Sequence, residues 1–316
     1  MGYSEGAYRK IVAEIFNRFP SVQKDGFDGA YKPGLSHMEA FDEALGHPSR
    51  AFRSIHVAGT NGKGSVANML ASALSACGLK TGLYTSPHLL DMRERIKVNG
   101  EMMPRQKVVD FVNRHVEFFK PLKPSFFELV TAMAFDYFAE EKVDIAIIET
   151  GLGGRLDCTN VIRPLISIIT NVSRDQTQLL GNTLEQIAAE KAGIIKAGVP
   201  VVVGETTPQT RAVFTDTAAR VGAKIVFAED QPEVVACAKH FVSPCWEDGR
   251  GDSSLVTRHS SFVYKHKTRS FGTLFGELSG ACQPKNANTI LVSLRTLSEA
   301  VPSLCIGTQA VRRGFA

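Results

Sequence analysis

The chain has 316 residues, of which 44% are hydrophobic and 22% charged, which is ordinary for a soluble globular protein with one large domain or one domain and a smaller unit. The net charge is only +4, without a run of lysines or arginines, so we expect no nucleic-acid partner and favour small anionic ligands. The six cysteines form no CxxC pair, which argues against a zinc site and a disulfide framework. No apolar run approaches the roughly 18 residues of a membrane span, so we expect no membrane partner and a cytoplasmic protein.

The first part of the chain predicts two helices and then a strand. Apolar residues at helical spacing predict a helix over residues 8–19, and Pro20 ends it. A glycine-rich loop over 24–35 and a short helix over 38–45 follow. Residues 55–58 are then predicted to form a short apolar strand.

A glycine-rich turn follows this strand, in the segment 54–65 with the sequence SIHVAGTNGKGS. Gly59, Gly62 and Gly64 allow positive φ, so that successive backbone N–H groups can point at phosphate oxygens. Lys63 adds a charge for the β- and γ-phosphates, and Ser65 can place its hydroxyl on Mg2+. The strict P-loop spacing is not met, because only two residues separate the first glycine from the Gly-Lys pair. A purely structural turn is the alternative, but the combination favours nucleotide binding.

The next 150 or so residues alternate between helices and strands, as in βαβ units. Helices are predicted over 65–77, 104–120, 126–141 and 183–196, and strands over 80–85, 143–149, 165–170, 199–203 and 224–227. Several of these strands are apolar without alternation, which is typical of strands buried on both faces of a parallel sheet. The pattern predicts an α/β fold with a doubly wound, mostly parallel sheet.

The pattern of the sequence changes from about residue 236. Short β-like segments interrupted by polar residues, such as 261–264 and 273–278, predict a small sheet packed on the main one. Helices over 286–297 and 308–313 follow.

Polar side chains follow three of the predicted strands. Glu149 ends a buried strand directly before the segment GLGGRLD, which is where open α/β sheets bind ligands. It is predicted to hold the Mg2+ of a nucleotide, and the alternative is a solvated acid. Ser86 also ends a strand and can face the same crevice. Asp175 and Gln176 follow a third strand and can each offer a metal an oxygen, although loop side chains often only satisfy the backbone.

Lys191 lies between Ile187 and Ile194 on the apolar stripe of its predicted helix. It either extends along its stem to solvent or acts near a metal, as a charge partner or, deprotonated and modified, as an acidic ligand. His56 precedes the glycine-rich turn and is predicted to be a core histidine. His88 lies in a loop beyond a strand end and is the better candidate for substrate contact.

Four segments together resemble the folylpolyglutamate synthase and dihydrofolate synthase family, within the Mur ligase superfamily. They are HVAGTNGKGS at 56–65, TSPH at 85–88, ETGLGGRLD at 149–157 and EKAGI at 190–194, and the resemblance extends over residues 19–314. It implies a P-loop domain of the Mur ligase central-domain type. It also implies an enzyme that activates a pteroate or folate carboxylate with ATP to an acyl phosphate, which the amine of L-glutamate attacks to form an amide.

The resemblance implies a role for each matching residue. The nucleotide-binding residues would be Gly59, Thr60, Asn61, Gly62, Lys63, Gly64, Ser65 and Asn286. One or two Mg2+ ions would be held by Ser65, Ser86, Glu149 and Gln176. The folate substrate would contact Ser86, Pro87, His88, Phe127, Leu156 and Asp157. The catalytic residues would be Lys63, Glu149 and Lys191, and Lys191 matches the lysine that the family carbamylates.

Three features depart from the family pattern. Gln176 stands where the family usually has a metal-binding histidine, and Cys282 stands where it has a histidine before Gln283. The chain ends shortly before the segment that leads, in the family, into a second α/β domain. We therefore expect residues 1–300 to form the ATP-binding domain, with a β subdomain over about 236–280. Residues 301–316 would begin the linker to a C-terminal ligase domain that this chain lacks.

Three functions stay open from the sequence. The first is a monomeric ligase that uses ATP, dihydropteroate or folate, and L-glutamate. The second is a truncated module that binds a nucleotide or folate without forming the amide. The third is another Mur-type amino-acid ligase, which the TSPH loop disfavours. For this chain alone we predict weak ATP–Mg2+ binding and slow turnover at most, because such ligases need a closing domain to exclude water and order the amine.

Overall fold

A central eight-stranded sheet organises the molecule; the computed structural model describes residues 5–20, 34–175, 177–242, 261–276 and 282–315. Its strands are β1 (Arg53–Ala58), β2 (Thr81–Tyr84), β3 (Ile96–Val98), β4 (Glu101–Met102), β5 (Ile145–Glu149), β6 (Ile166–Ile169), β7 (Val201–Val203) and β8 (Ile225–Phe227). Their order is β4-β3-β2-β5-β1-β6-β7-β8. The pairs β2–β3 and β3–β4 are antiparallel and the others parallel. The predicted doubly wound, mostly parallel sheet is confirmed.

Helices cover both faces of this sheet. They are α1 (Glu5–Arg18), α2 (Ser36–Ala44), α3 (Lys63–Ala76), α4 (Arg105–Leu122), α5 (Phe126–Glu140), α6 (Thr177–Leu180), α7 (Leu184–Ala192), α8 (Pro208–Val221), α9 (Gln283–Ala300) and α10 (Thr308–Phe315). Alternate residues of β5 face opposite sides, so Ala146 and Ile148 pack in the cluster that includes α1, α2, α4 and α5. Ile145 and Ile147 pack in the cluster that includes α3, α9 and α10.

Local capping signals mark several helix ends as the sequence predicts. The Thr183 hydroxyl accepts from the Gln186 N–H at 3.2 Å, and the Gln186 side chain accepts from the Thr183 N–H at 3.3 Å. This capping box starts α7. Gly78 follows α3 with φ +88°, the left-handed conformation that favours glycine after a helix. Helix α7 ends at Ala192, four residues before the predicted end at position 196.

The sequence analysis does not predict the hairpin of β3 and β4 or helix α8, although their signals are present. Strands β3 and β4 form a hairpin whose turn residues, Asn99 and Gly100, both have positive φ, +50° and +84°. Asn-Gly is the strongest short signal for such a turn. Helix α8 starts with Thr207 as its N-cap and Pro208 in its first turn, and Gly222 ends it with φ +65°.

A second, three-stranded antiparallel sheet follows β8. It consists of β9 (Val234–Val242), β10 (Ser261–Thr268) and β11 (Thr273–Gly276), in the order β11-β10-β9. The predicted small sheet is confirmed, with a longer β10 than expected. Residues 24–33 of the predicted loop 24–35 lie outside the described residues. The same is true of residues 277–278 of the predicted strand 273–278. No helix in the described part of the chain is long and apolar enough to cross a bilayer.

Candidate active site

The carboxyl ends of three neighbouring strands meet at one edge of the sheet. Strand β1 lies between β5 and β6, and all three run in parallel. Each strand continues into a polar segment: the glycine loop 59–62 after β1, the segment 150–157 after β5, and the segment 170–173 after β6. Ligands of open α/β sheets bind at this edge.

Segment 170–173 holds the glycine loop in place through hydrogen bonds. The Thr170 hydroxyl donates to the Asn61 carbonyl at 2.6 Å. The Asn171 carbonyl accepts from the Thr60 N–H at 3.0 Å, and its side-chain oxygen accepts from the Asn61 N–H, also at 3.0 Å. The Ser173 N–H donates to the Thr60 hydroxyl at 3.0 Å. The neighbouring strand therefore fixes the conformation of the loop. Sequence reasoning missed these three residues, because only the fold brings them next to the loop.

Two glycines mark where other side chains approach the loop and the helix after it. Gly62 has φ +80°, and a Cβ atom there would lie 2.5 Å from the side-chain oxygen of Asn286, on α9. A Cβ atom on Gly64 would lie 3.7 Å from Glu149 Oε2. Asn286 and Glu149, which are distant in sequence, thus lie beside the first turn of α3. This is the turn whose free N–H groups favour an anion.

Two lysines donate hydrogen bonds to the same backbone carbonyl of the loop. Lys63 Nζ lies 3.2 Å from the Gly59 oxygen and 3.3 Å from the Thr60 oxygen, and Lys191 Nζ lies 3.0 Å from the Gly59 oxygen. Lys191 is only 3% exposed, so the alternative in which it extends to solvent is wrong. Burial, together with the charge of Lys63, lowers the pKa of Lys191 to about 8. The two lysine side chains therefore hold positive charge at the glycine loop.

Glu149 is buried beside these charges, with 2% of its surface exposed, so it is not a solvated strand-end acid. Its Oε2 atom accepts from the Ser86 N–H at 3.1 Å. Burial raises the pKa of Glu149 to about 7, while the Lys63 charge acts in the opposite direction. A carboxylate in such surroundings is stabilised by any additional nearby cation.

His88 has a defined hydrogen-bonding role in the loop after β2. Its Nδ1 atom lies 2.8 Å from Arg95 Nε. Because an arginine only donates, Nδ1 must accept, and the ring proton must sit on Nε2. The His88 ring lies 6.0 Å from the ring of Phe16 and 6.2 Å from that of Phe126. Burial and Arg95 lower the pKa of His88, which keeps the ring neutral. The sequence analysis missed Arg95.

The glycine-rich segment after β5 packs against α5. A Cβ atom on Gly151 would lie 2.5 Å from the Cε1 and Cζ atoms of Phe127, so the tip of this ring lies against the backbone. Leu156 is half-buried and its carbonyl accepts from the Gly34 N–H at 3.5 Å. Asp157 is buried and accepts from the N–H groups of Leu152 at 2.8 Å and Thr159 at 3.0 Å. By accepting these two hydrogen bonds, its carboxylate fixes the conformation of this segment.

His56 is a core residue, as the sequence predicts. It is fully buried, and burial lowers its pKa to about 3. Its Nε2 atom lies 2.9 Å from the Thr159 hydroxyl, which itself donates to Asp157. The histidine therefore donates to Thr159 and supports the segment after β5.

The other residues predicted to bind a metal are Ser65, Ser86 and Gln176. Gln176 lies outside the described residues, and the charge of exposed Asp175 acts to raise the pKa of Lys191. Within the described ranges, no group of three or more His, Cys, Asp and Glu side chains converges as a metal site. Ser65, in the first turn of α3, and Ser86, two residues after β2, are both half-buried, and the Ser86 N–H donates to Glu149.

This sheet, with its glycine loop, lysine pair and buried carboxylate, defines an α/β domain of the Mur ligase middle-domain type. The Mur ligase middle domain family matches residues 57–233. The apo form of L. casei folylpolyglutamate synthase superposes with a TM-score of 0.80 and 32% identity, over 98% of this chain and 71% of that chain. Folylpolyglutamate synthase of Mycobacterium tuberculosis, complexed with ADP, gives 0.79 and 30%, over 98% of this chain and 65% of that chain.

Sequence relatives agree with the structural ones. The dihydrofolate synthase/folylpolyglutamate synthase of Bacillus subtilis is 42% identical over 244 residues, which are 72% of this chain and 56% of the relative. That of M. tuberculosis is 34% identical over 305 residues, 90% of this chain and 59% of the relative. The chain belongs to the folylpolyglutamate synthase/dihydrofolate synthase family of Mur ligases. It spans little more than half the length of these two relatives.

Proposed function

We propose that this chain supplies the nucleotide-binding and folate-binding part of an ATP-dependent ligase, which joins a pteroate or folate carboxylate to L-glutamate. The observation that carries the proposal is the convergence of the glycine loop, Lys63, Lys191 and Glu149 at one sheet edge, next to the loop that presents His88. Similar proteins have been solved in complexes described as containing AMPPCP, AMPPCP with folate, and ADP.

The phosphates of ATP would bind at residues 59–65. Here the N–H groups of the first turn of α3 and the ammonium of Lys63 both favour negative charge. Asn286, whose amide approaches Gly62, would contact the same nucleotide. On binding, Lys63 would exchange its two backbone carbonyl partners for phosphate oxygens.

The residues around Glu149 fit a Mg2+ ion, which prefers carboxylate, hydroxyl and water oxygens. Glu149 is a buried carboxylate with a raised pKa, so a bound cation would relieve the cost of its ionisation. Ser65 and Ser86 would complete the protein ligands. When bound, the ion would neutralise charge on the β- and γ-phosphates. A second ion near Gln176 stays a prediction.

Lys191 is suited to carbamylation, because its lowered pKa makes the neutral amine accessible near neutral pH. A neutral amine adds to CO2 and releases one proton, giving an N-carboxylate. The change replaces a positive charge by a negative one beside the loop. The product would be an acidic group able to orient a cation or a phosphate-bound lysine.

The folate side of the site would lie along His88, Phe127 and Leu156. His88 offers an Nε2–H donor, so it suits an acceptor atom of the substrate. The Phe127 ring offers an aromatic surface for a flat ring system. Asp157 would contact the substrate only by giving up part of its hydrogen bonding within the chain.

In the proposed reaction, a substrate carboxylate oxygen attacks the γ-phosphorus of ATP, ADP leaves, and an acyl phosphate forms. The neutral glutamate amine then attacks the acyl carbon, phosphate leaves with the electron pair of the C–O bond, and the nitrogen loses one proton to the leaving phosphate. The loop and Lys63 would stabilise charge on the transferred phosphoryl group. The His88 loop would hold the carboxylate in line.

The test is ADP release from ATP and Mg2+ with dihydropteroate or folate, with and without L-glutamate, alongside calorimetric binding of ADP. Lys63→Ala should abolish binding, whereas Lys224→Ala, an exposed lysine paired with Glu299, should not. Glutamate-stimulated ADP release would mean that this chain alone completes the ligase reaction. Nucleotide binding without stimulation would support a binding part only. Absence of nucleotide binding by the wild-type chain would contradict the proposal.

A further inference from the structure

Helix α9 connects the glycine loop with the small sheet through two residues near its start. Asn286 and Asn288 are two positions apart, so their side chains point about 200° apart around the helix axis. Asn286 lies against Gly62 of the loop. Asn288 faces the connection between β8 and β9. The first turns of the helix are thus contacted on opposite sides.

Asn288 binds this connection at both of its ends. Its side-chain oxygen accepts from the N–H groups of Glu233 at 2.7 Å and Val234 at 3.0 Å. Its side-chain NH2 donates to the carbonyl of Ala228 at 2.8 Å. Three hydrogen bonds from one amide therefore fix α9 against the segment 228–234.

Glu233 extends the same connection into the small sheet. It is fully buried, and its carboxylate accepts from the N–H and the hydroxyl of Ser270, each at 3.1 Å. Ser270 belongs to the turn between β10 and β11. The carboxylate also pairs with Arg295, which follows Asn288 by seven residues and so lies on the same face of α9. The small sheet is therefore attached to one face of the helix, and the loop lies at the opposite face.

Local capping contributes little to the position of this helix start. The N-cap residue, Cys282, makes no side-chain hydrogen bond to the first turn. The lateral position of Asn286 thus depends on contacts with the surrounding elements. We propose that Asn288 is a positioning residue for nucleotide binding, which holds α9 against segment 228–234 so that Asn286 stays beside Gly62. This inference rests on the proposed function, because the ligand concerned is the nucleotide.

The test is a double-mutant cycle with the full chain, using Mg2+–ADP as the probe in calorimetry. Asn288→Ala should weaken ADP binding roughly tenfold, because coupled neighbours commonly interact by amounts of this size. In the Asn286→Ala background, the same change should have almost no further effect. A residue that only stabilises the fold would lower the melting temperature without this dependence on Asn286.

Asn99→Ala is the matched control, because the Asn99 side chain also accepts from a backbone N–H, that of Thr81 at 2.9 Å, but at the far edge of the sheet. It should lower the melting temperature and leave ADP affinity within about twofold of wild type. Should Asn288→Ala fail to fold, Glu233→Gln keeps the side-chain shape but removes the charge that pairs with Arg295. It should give a smaller loss of affinity, which again disappears in the Asn286→Ala background.

The outcomes separate this inference from the proposed function. Wild-type binding together with unchanged affinity in Asn288→Ala would contradict the inference alone. Losses that simply add in the double variant would contradict it as well. If the wild-type chain binds no ADP, both the inference and the proposed function are wrong.

Discussion

Charged side chains at the glycine loop are held in surroundings that disfavour their charges. Glu149 and Lys191 are both nearly inaccessible to water, and burial moves the pKa of each towards neutrality, to about 7 and about 8. A protein tolerates such groups where a ligand compensates the cost, which is why perturbed ionisable residues concentrate at functional sites. Without a ligand, the Lys63 charge offsets part of this cost for Glu149 but adds to it for Lys191.

The raised pKa of Glu149 gives a prediction about stability and pH in the presence of EDTA. Its folded-state pKa of about 7 exceeds the ordinary value of 4.5, so the folded state binds the proton more tightly than the unfolded state. The contribution of this group to the free energy of unfolding therefore falls as pH rises from about 4.5 to 7, by up to about 3 kcal/mol. Glu149→Gln should match wild type at pH 4 and be the more stable protein at pH 7.5. Urea unfolding at both values measures this, and a difference that does not change with pH would contradict it.

Replacing Gly62 is expected to weaken nucleotide binding as well as to destabilise the fold. Gly62→Ala places a methyl group in a left-handed conformation at φ +80° and 2.5 Å from the Asn286 oxygen. Gly78→Ala imposes the same kind of strain at φ +88°, but no atom of the described residues lies within 4 Å of the added methyl group. Each should cost about 1 kcal/mol of stability, because both force an L side chain into that region.

The two glycine variants should differ in nucleotide binding. ADP affinity should fall more than tenfold in Gly62→Ala only, since the methyl group displaces Asn286. Calorimetry and denaturant unfolding of both variants provide the comparison. Equal ADP affinity in the two would show that the close approach of Asn286 has no role in binding.

Helix α3 is the element that links the loop to the rest of the fold. Its first turn lies next to the loop, and α10 packs on its other end, where the Arg313 guanidinium donates to the Ala76 carbonyl at 3.3 Å. The two helices approach so closely that a Cβ atom on Gly314 would lie 2.4 Å from the Ala73 Cα atom. Only a glycine at this position allows such a contact without a backbone shift.

Gly314→Ala should therefore destabilise the protein by about 1–3 kcal/mol, because the clash is with backbone and the two helices must separate. Gly307→Ala is the control, since a Cβ atom there meets nothing within 4 Å in the part of the chain that the structure describes. Thermal unfolding of both variants measures the effect. Similar melting temperatures would mean that α10 does not need its close contact with α3.

At the scale of the whole molecule, apolar clusters lie on both faces of the main sheet, and the small sheet is attached through Glu233 and α9. The sheet edge that holds the site contains buried charged groups, including Glu149 and Lys191. Their burial does not by itself stabilise the folded state. A ligand that pairs with these groups should stabilise the folded state as a whole.

Mg2+–ADP at one hundred times its dissociation constant should raise the free energy of unfolding by about 2.7 kcal/mol. The same ADP concentration in EDTA should raise it less, because the Glu149 carboxylate then lacks a cation and repels the phosphates. Denaturant midpoints with and without Mg2+ measure the difference, and Glu149→Gln should reduce it. Equal stabilisation in Mg2+ and EDTA would argue against a metal at Glu149.

The sequence by itself determined the fold class, the glycine loop and the inward face of Lys191. Each depends on short-range features: the apolar strands, the glycine spacing at residues 59–64, and the position of Lys191 between two isoleucines of one helix. The Asn-Gly hairpin was equally local and was overlooked. The metal and substrate roles stay predictions, and Gln176 lies outside the described residues.

Tertiary structure alone decided which distant groups meet. The placement of β1 between β5 and β6 brings segment 170–173 to the loop and Glu149 beside Gly64. The same applies to the bonds of Asn288, whose partners lie more than 50 residues away in the chain. Local preferences set the dihedral angles and the periodicity of each segment, but they carry no information about strand order. Burial, and with it the pKa of Glu149 and Lys191, is a property of the assembled elements.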